Sequence, residues 1–108
     1  MSKEIPIQND IVRVVGGLPG LRIWRQNTGV AKFGNRKVRF GIPGQADITG
    51  ILPDGRRLEI EVKSATGRQS EEQKKFQAMI ERFGGLYILA YSPEDVMTAL
   101  WRAGYIDG

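Results

Sequence analysis

The chain has 108 residues, 41% of them apolar and 26% charged, with a formal net charge of +4 and an isoelectric point of about 9.7. This describes one soluble globular domain over residues 1–108 with a modest core. With no cysteine and no histidine, it excludes disulfides, thiolate metal sites and Ser-His-Asp chemistry, and limits any metal site to oxygen donors, hence to hard cations such as Mg²⁺ or Mn²⁺.

The basic excess suits a polyanion such as nucleic acid, although a basic surface without a partner has the same composition. No apolar run approaches the roughly 20 residues that span a bilayer. The opening "MSKEIPIQND" is polar and does not resemble a signal peptide, so a cytoplasmic protein is expected.

In chain order, Ile5, Ile7, Ile11, Val12 and Val15 predict a short helix ending at Gly16-Gly17, with Pro6 tolerated in its first turn. "LRIWRQN", 21–27, alternates and reads as a strand. Residues 28–45 are rich in glycine and basic residues, with Phe33 and Phe40 interleaved among Lys32, Arg36, Lys37 and Arg39; they read as a loop or loose hairpin. Strands follow at about 46–52 and 57–63. A helix at 71–83 carries Phe76, Met79, Ile80 and Phe83 and stops at Gly84. "LYILAY", 86–91, reads as a buried strand, and Ser92 with Pro93 opens a last helix. The expected order is helix, three or four strands, helix, strand, helix: an α/β fold with a mixed β-sheet flanked by helices.

The hairpin at Leu52-Pro53-Asp54-Gly55-Arg56 fixes a register. Proline and aspartate suit a type I turn and Gly55 the left-handed residue that follows. Leu52 then pairs with Arg56, and Asp47 falls opposite Glu61, Thr49 opposite Glu59 and Gln45 opposite Lys63. The other face pairs Ala46 with Val62, Ile48 with Ile60 and Gly50 with Leu58, and must pack on a helix. A two-residue turn would bury Asp47 without a partner, which is costly. Like charges directly opposite each other destabilise a sheet by up to about 1 kcal/mol. The Asp47/Glu61 pair is therefore either a metal site or a solvated face relieved by Lys63.

These residues also resemble a known pattern. Asp47-Ile48 followed by Glu61-Val62-Lys63 is similar to the D…ExK signature of the PD-(D/E)xK nucleases, with Ala46 where a proline is usual. Together with "EIPIQ" at 4–8, "RQNTG" at 25–29, "GQAD" at 44–47, "EVKS" at 61–64 and "SEEQ" at 70–73, the series resembles the VRR-NUC family, in particular its short stand-alone phage and bacterial members, over about residues 4–90.

The resemblance implies a restriction-endonuclease-like core and Mg²⁺- or Mn²⁺-dependent cleavage of DNA phosphodiesters. It also implies a homodimer acting on branched DNA such as Holliday junctions; a flap- or nick-directed nuclease, or a binding module without catalysis, are the alternatives. Asp47 and Glu61 would supply metal oxygens, with the carbonyl of Val62 and Glu4 as further ligands and Gln8 as the alternative to Glu4. Lys63 would lie beside the scissile phosphate.

Gln73 would face the active site, while Ser70-x-x-Gln73 also spells a capping box. Asn27, Gln45, Lys32, Arg36, Lys37, Arg39, Arg68 and Lys74, with Lys75 nearby, are the DNA-contact candidates. Glu59 reads as a solvated flank, and Trp24 and Trp101 as core or dimer contacts. Two-fold symmetry would supply the two sites needed to cut a four-way junction; the last helix, with Val96, Ala99, Leu100 and Trp101, is a candidate dimer surface or an ordinary core helix.

Overall fold

The computed structural model describes residues 3–26 and 29–107. Its elements are α1 (Glu4–Val15), β1 (Arg22–Arg25), β2 (Gly29–Phe33), β3 (Arg36–Phe40), β4 (Ile48–Ile51), β5 (Arg57–Val62), α2 (Glu71–Arg82), β6 (Leu86–Ala90) and α3 (Pro93–Arg102). The fold is mixed α/β, and five strands rather than three or four precede α2. The main sheet has the order β1-β4-β5-β6, antiparallel across β1/β4/β5 and parallel between β5 and β6. Among the described residues, no helix is long and apolar enough to cross a membrane.

Alternation along β5 divides the sheet into two faces. Leu58, Ile60 and Val62 join Ile23, Ile48, Ile88 and Ala90 in a cluster that also contains Ile11 and Val15 of α1 and Val96 and Leu100 of α3. The last helix is thus a core helix through Val96 and Leu100. The opposite face meets α2 through a smaller cluster of Ala46, Phe76, Ile80 and Tyr87. Phe76 and Tyr87 pack edge to face, their ring centroids 6.4 Å apart. The sheet therefore lies between two helical layers.

The turn forms as the residues predict. Gly55 N–H donates to the Leu52 carbonyl and Leu52 N–H to the Arg56 carbonyl, each at 2.8 Å, and Gly55 has φ 87°. Ile48↔Ile60, Thr49↔Glu59, Gly50↔Leu58 and Ile51↔Arg57 are paired, which is the expected register. The Asp54 carboxylate anchors the loop by accepting from Arg56 N–H at 3.1 Å and from the Tyr105 hydroxyl at 2.7 Å.

Below Ile48 the expected pairing fails. Continued, the ladder would set Ala46 against Val62 on the apolar face and Gln45 against Lys63. Instead β4 begins only at Ile48, and Val62 N–H donates to the Asp47 carboxylate at 2.8 Å. Ala46 leaves the predicted face and packs beneath α2. The preceding loop lies so close to α2 that a Cβ on Gly44, whose φ is 79°, would sit 2.2 Å from the Glu72 carbonyl oxygen.

Two glycines with positive φ thus differ in their surroundings, because a Cβ on Gly55 would meet nothing within 4 Å. Gly55→Ala is expected to cost about 1–2 kcal/mol, the left-handed backbone term alone. Gly44→Ala must also displace backbone and is expected to cost clearly more, as urea denaturation of the two variants side by side would show.

Candidate active site

The site forms where β5, the chain entering β4, and the start of α2 meet. Asp47 and Glu61 are the central pair. Glu61 is only 2% exposed, because α2 lies over this face of the sheet. Its Oε2 accepts from Gln73 Nε2 at 2.9 Å and lies 3.8 Å from Lys63 Nζ. Its Oε1 is buried with no hydrogen-bond partner.

Gln73 satisfies both readings offered by the sequence. Its Oε1 accepts from Ser70 N–H at 2.8 Å, while its own N–H donates to Ser70 Oγ at 3.1 Å. This is a complete capping box. The cap uses only the carbonyl end of the amide, so the NH₂ end is left to hold Glu61. The helix cap therefore fixes the rotamer of a site residue.

Electrostatics at the pair are strained. Loss of water on burial, then the negative charge of Asp47, push the Glu61 carboxyl up to about 9; Lys63 opposes the shift and Glu4 adds to it. Asp47 is also raised, chiefly by burial, against the pull of the Val62 N–H. As folded, the pair keeps a proton at neutral pH. Val62 N–H points at Asp47, and in an extended strand the carbonyl of the same residue points the same way, so the Val62 oxygen faces the same gap. Glu4 acts on both acids as a neighbouring negative charge, and Gln8, beside it on α1, is buried. Among the described residues, no three acidic side chains gather closely enough to hold a metal ion between them.

The donors nevertheless fit a small hard cation. Two carboxylates, one with an unpartnered buried oxygen, face a backbone carbonyl, and Mg²⁺ commonly takes one or two protein carboxylates and keeps several waters. A bound cation would displace the shared proton and remove the like-charge repulsion.

Several expectations are corrected. Glu59 is not a solvated flank: it is fully buried, its Oε2 accepting from Thr49 Oγ1 and from Arg57 Nε. Glu61 is held by Gln73 of α2 and Glu59 by Thr49 and Arg57, and neither carboxylate meets water. The pairing of Glu59 with Thr49 was legible in the register, whereas its burial was not. Trp24 and Trp101 are exposed and not core residues. Gln45 does not pair with Lys63; its carboxamide oxygen accepts from Ile42 N–H at 3.1 Å, closing the loop before Asp47. Asn27 lies outside the described residues.

The basic stretch is a hairpin, β2 and β3, joined by Gly34-Asn35. Gly34 has φ 62° and Asn35 does not have a positive φ, the pattern of a type II′ turn. The register pairs Lys32 with Lys37 and Phe33 with Arg36, so Lys32, Lys37 and Arg39 share one face. Arg36 falls on the other, with Ala31, Phe33, Val38 and Phe40. Every residue of β3 is exposed. Arg68, Lys74 and Lys75 are exposed as well, and Lys74 pairs with Glu71 at 3.2 Å.

No protein-family model matches this chain, and a search of curated proteins finds no match.

The raised Glu61 pKa has a definite consequence for stability without metal. The folded chain holds a proton that the unfolded chain releases above pH 4.5, so the stabilisation is complete below 4.5 and is lost as pH rises toward about 9. The slope is at most about 1.4 kcal/mol per pH unit. Thermal melts in chelator are expected to show falling Tm from pH 5.5 to 8.5, and Glu61→Gln is expected to flatten that fall. Added Mg²⁺ should raise Tm more at pH 8.5 than at pH 5.5.

Proposed function

We propose that this chain is a divalent-metal-dependent endodeoxyribonuclease of the VRR-NUC type, built on a restriction-endonuclease-like core. It cuts phosphodiesters in branched DNA of the four-way-junction kind and acts in the cytoplasm as a homodimer. One observation carries the reading. A buried Glu61 with an unpartnered oxygen, beside a half-buried Asp47, is met by Lys63 from just past the end of β5 and by Gln73 from the start of α2. A purely structural pair of facing acids would cost stability and return none, and such arrangements collect at functional sites.

Asp47, Glu61 and the Val62 carbonyl would hold Mg²⁺ or Mn²⁺, which when bound neutralises charge on the phosphate undergoing attack. The chain's own residues divide the remaining work. Lys63, whose side chain is 14% exposed, presents an ammonium beside the carboxylates, positioned to bind a non-bridging phosphate oxygen and to orient the attacking water. Gln73 holds Glu61 through Oε2 and leaves Oε1 without a protein partner. The Val62 N–H holds Asp47. The hairpin face of Lys32, Lys37 and Arg39, with Arg68 and Lys74, supplies phosphate contacts that give affinity without sequence preference.

A binding module without catalysis is the second reading. The facing Lys32 and Lys37 support it, since like charges directly opposite each other on a hairpin favour a polyanion between them.

Cleavage of labelled four-way junction, flap and linear duplex in Mg²⁺ or Mn²⁺ separates the two. Paired symmetric cuts in the junction are expected from the wild type, with at least a hundredfold loss in Asp47→Asn and in Lys63→Ala, on the scale of removing one transition-state contact. Junction binding without cutting, unchanged in both variants, would leave the binding module standing.

A further inference from the structure

The face that carries Asp47 and Glu61 continues across the sheet, and α2 covers only part of it. One register step up β5 from Glu61 is Glu59, and the pairings place Trp24, Thr49, Glu59 and Tyr87 in one row across four strands. At the β6 end of the row Tyr87 is covered by Phe76 of α2. At the β1 end the sheet is bare: Trp24 is 43% exposed and Ile51 50%. There a cavity of about 290 Å³ opens, lined by Trp24, Thr49, Gly50, Ile51, Gly55 and Arg57.

The cavity is built on a buried charge. Glu59 is fully buried beneath it, with one carboxylate oxygen unpartnered. The other oxygen accepts from Thr49 Oγ1 and from Arg57 Nε, the latter at 2.9 Å. Arg57 itself is about half exposed. A carboxylate withdrawn from water is expensive, and here it fixes the end of an otherwise free guanidinium. The result is a held guanidinium plane and an indole ring lining one small opening. The cavity is too small for an extended ligand and is of a size for one planar ring.

We propose that this cavity receives one unpaired nucleobase of the strand bound at the Asp47/Glu61 site, stacked on Trp24 and contacted by Arg57. The inference rests on the nuclease reading and supplies its substrate class: DNA in which a base next to the cut is free to leave the helix, as at a branch or in a single strand. Two residues along an extended strand span about 6.7 Å and neighbouring strands lie about 4.8 Å apart, so Trp24, one strand over from β4 and two from β5, lies roughly 8–12 Å from the Asp47/Glu61 site. The base of a nucleotide one or two positions from the phosphate at the acids spans that distance. Stacking on an aromatic ring tolerates any base, which agrees with a surface otherwise made of phosphate contacts.

The test separates base binding from cutting. Anisotropy of a labelled single-stranded thymidine oligonucleotide is measured in chelator, so that no cleavage occurs, against an abasic oligonucleotide of the same length. The wild type is expected to bind the base-bearing strand about tenfold more tightly than the abasic one, on the scale of a single stacked base. Trp24→Ala and Arg57→Ala are expected to bind the two strands alike, and Trp24→Phe to recover most of the preference. An unchanged melting temperature in Trp24→Ala and Trp24→Phe would show that these variants are folded; Arg57→Ala strips the buried Glu59 of its partner and is expected to melt lower, so its binding is measured well below its own Tm.

Equal binding of the two strands by the wild type, absence of binding, or a preference that survives in Trp24→Ala would overturn the proposal. A Trp24-dependent preference in a protein that cuts no substrate in Mg²⁺ or Mn²⁺ would keep the base site and discard the nuclease reading.

Discussion

The hydrogen bond from Val62 N–H to the Asp47 carboxylate is the contact from which the rest of the site follows. An antiparallel ladder in this register would give that donor to the carbonyl of Ala46. The chain instead joins the ladder only at Ile48, and the Asp47 side chain takes the place of the backbone acceptor. A buried backbone donor must be satisfied, so Asp47 is held inward beside Glu61. The same departure drops Ala46 onto the α2 side of the sheet, where it fills space under Phe76 and Ile80. One exchanged hydrogen bond thus ends a strand, seeds the smaller core and aims an acid.

The start of α2 completes the arrangement. The capping box and the grip on Glu61 are two ends of one amide, Gln73. Helix formation and site geometry are coupled: the helix end is satisfied only when the Gln73 carbonyl faces Ser70, and that orientation sends its NH₂ group to Glu61. The acids are consequently held together against their own repulsion, with burial favouring a proton at Glu61. A proton and a divalent cation answer the same electrostatic demand, and the unpartnered Glu61 Oε1 marks where that demand is unmet.

Two acids of β5 lie deeper than any other charged group among the described residues. Glu59 and Glu61 are withdrawn beneath α2 or within the sheet, whereas the basic residues of β3, Arg68, Lys74 and Arg57 remain at the surface. The hairpin carries Lys32, Lys37 and Arg39 on one side and Ala31, Phe33, Val38 and Phe40 on the other. A two-stranded hairpin is marginal in water by itself, so an exposed one with this pattern gains from contact with another surface. Part of the main sheet's face is also left open, from Trp24 to Arg57. The buried acids Glu59 and Glu61 and the exposed bases of β3, Arg68 and Lys74 give this region a negative centre with positive groups at the surface, a distribution that suits a polyanion drawn to a cation site.

The sequence by itself determined the elements and their local chemistry. Helical spacing, the Ser92-Pro93 start, the Ser70/Gln73 cap and the Pro53-Asp54-Gly55 turn are all short-range, and so the register that sets Thr49 against Glu59 could be counted from the turn. It also listed the residues that meet: Asp47, Glu61, Lys63 and Gln73. Tertiary structure alone decided depth. Alternation along β5 shows that Glu59 and Glu61 share a face but not whether that face meets water, because the cover over Glu61 comes from α2, ten and more residues away in sequence. The fate of Ala46 and Gln45 was likewise outside the pattern, since it depends on Gly44 fitting against the backbone of α2. Trp24 reads as core by its type and is exposed because α2 stops short of β1; burial belongs to the packing of whole layers, which no local spacing encodes.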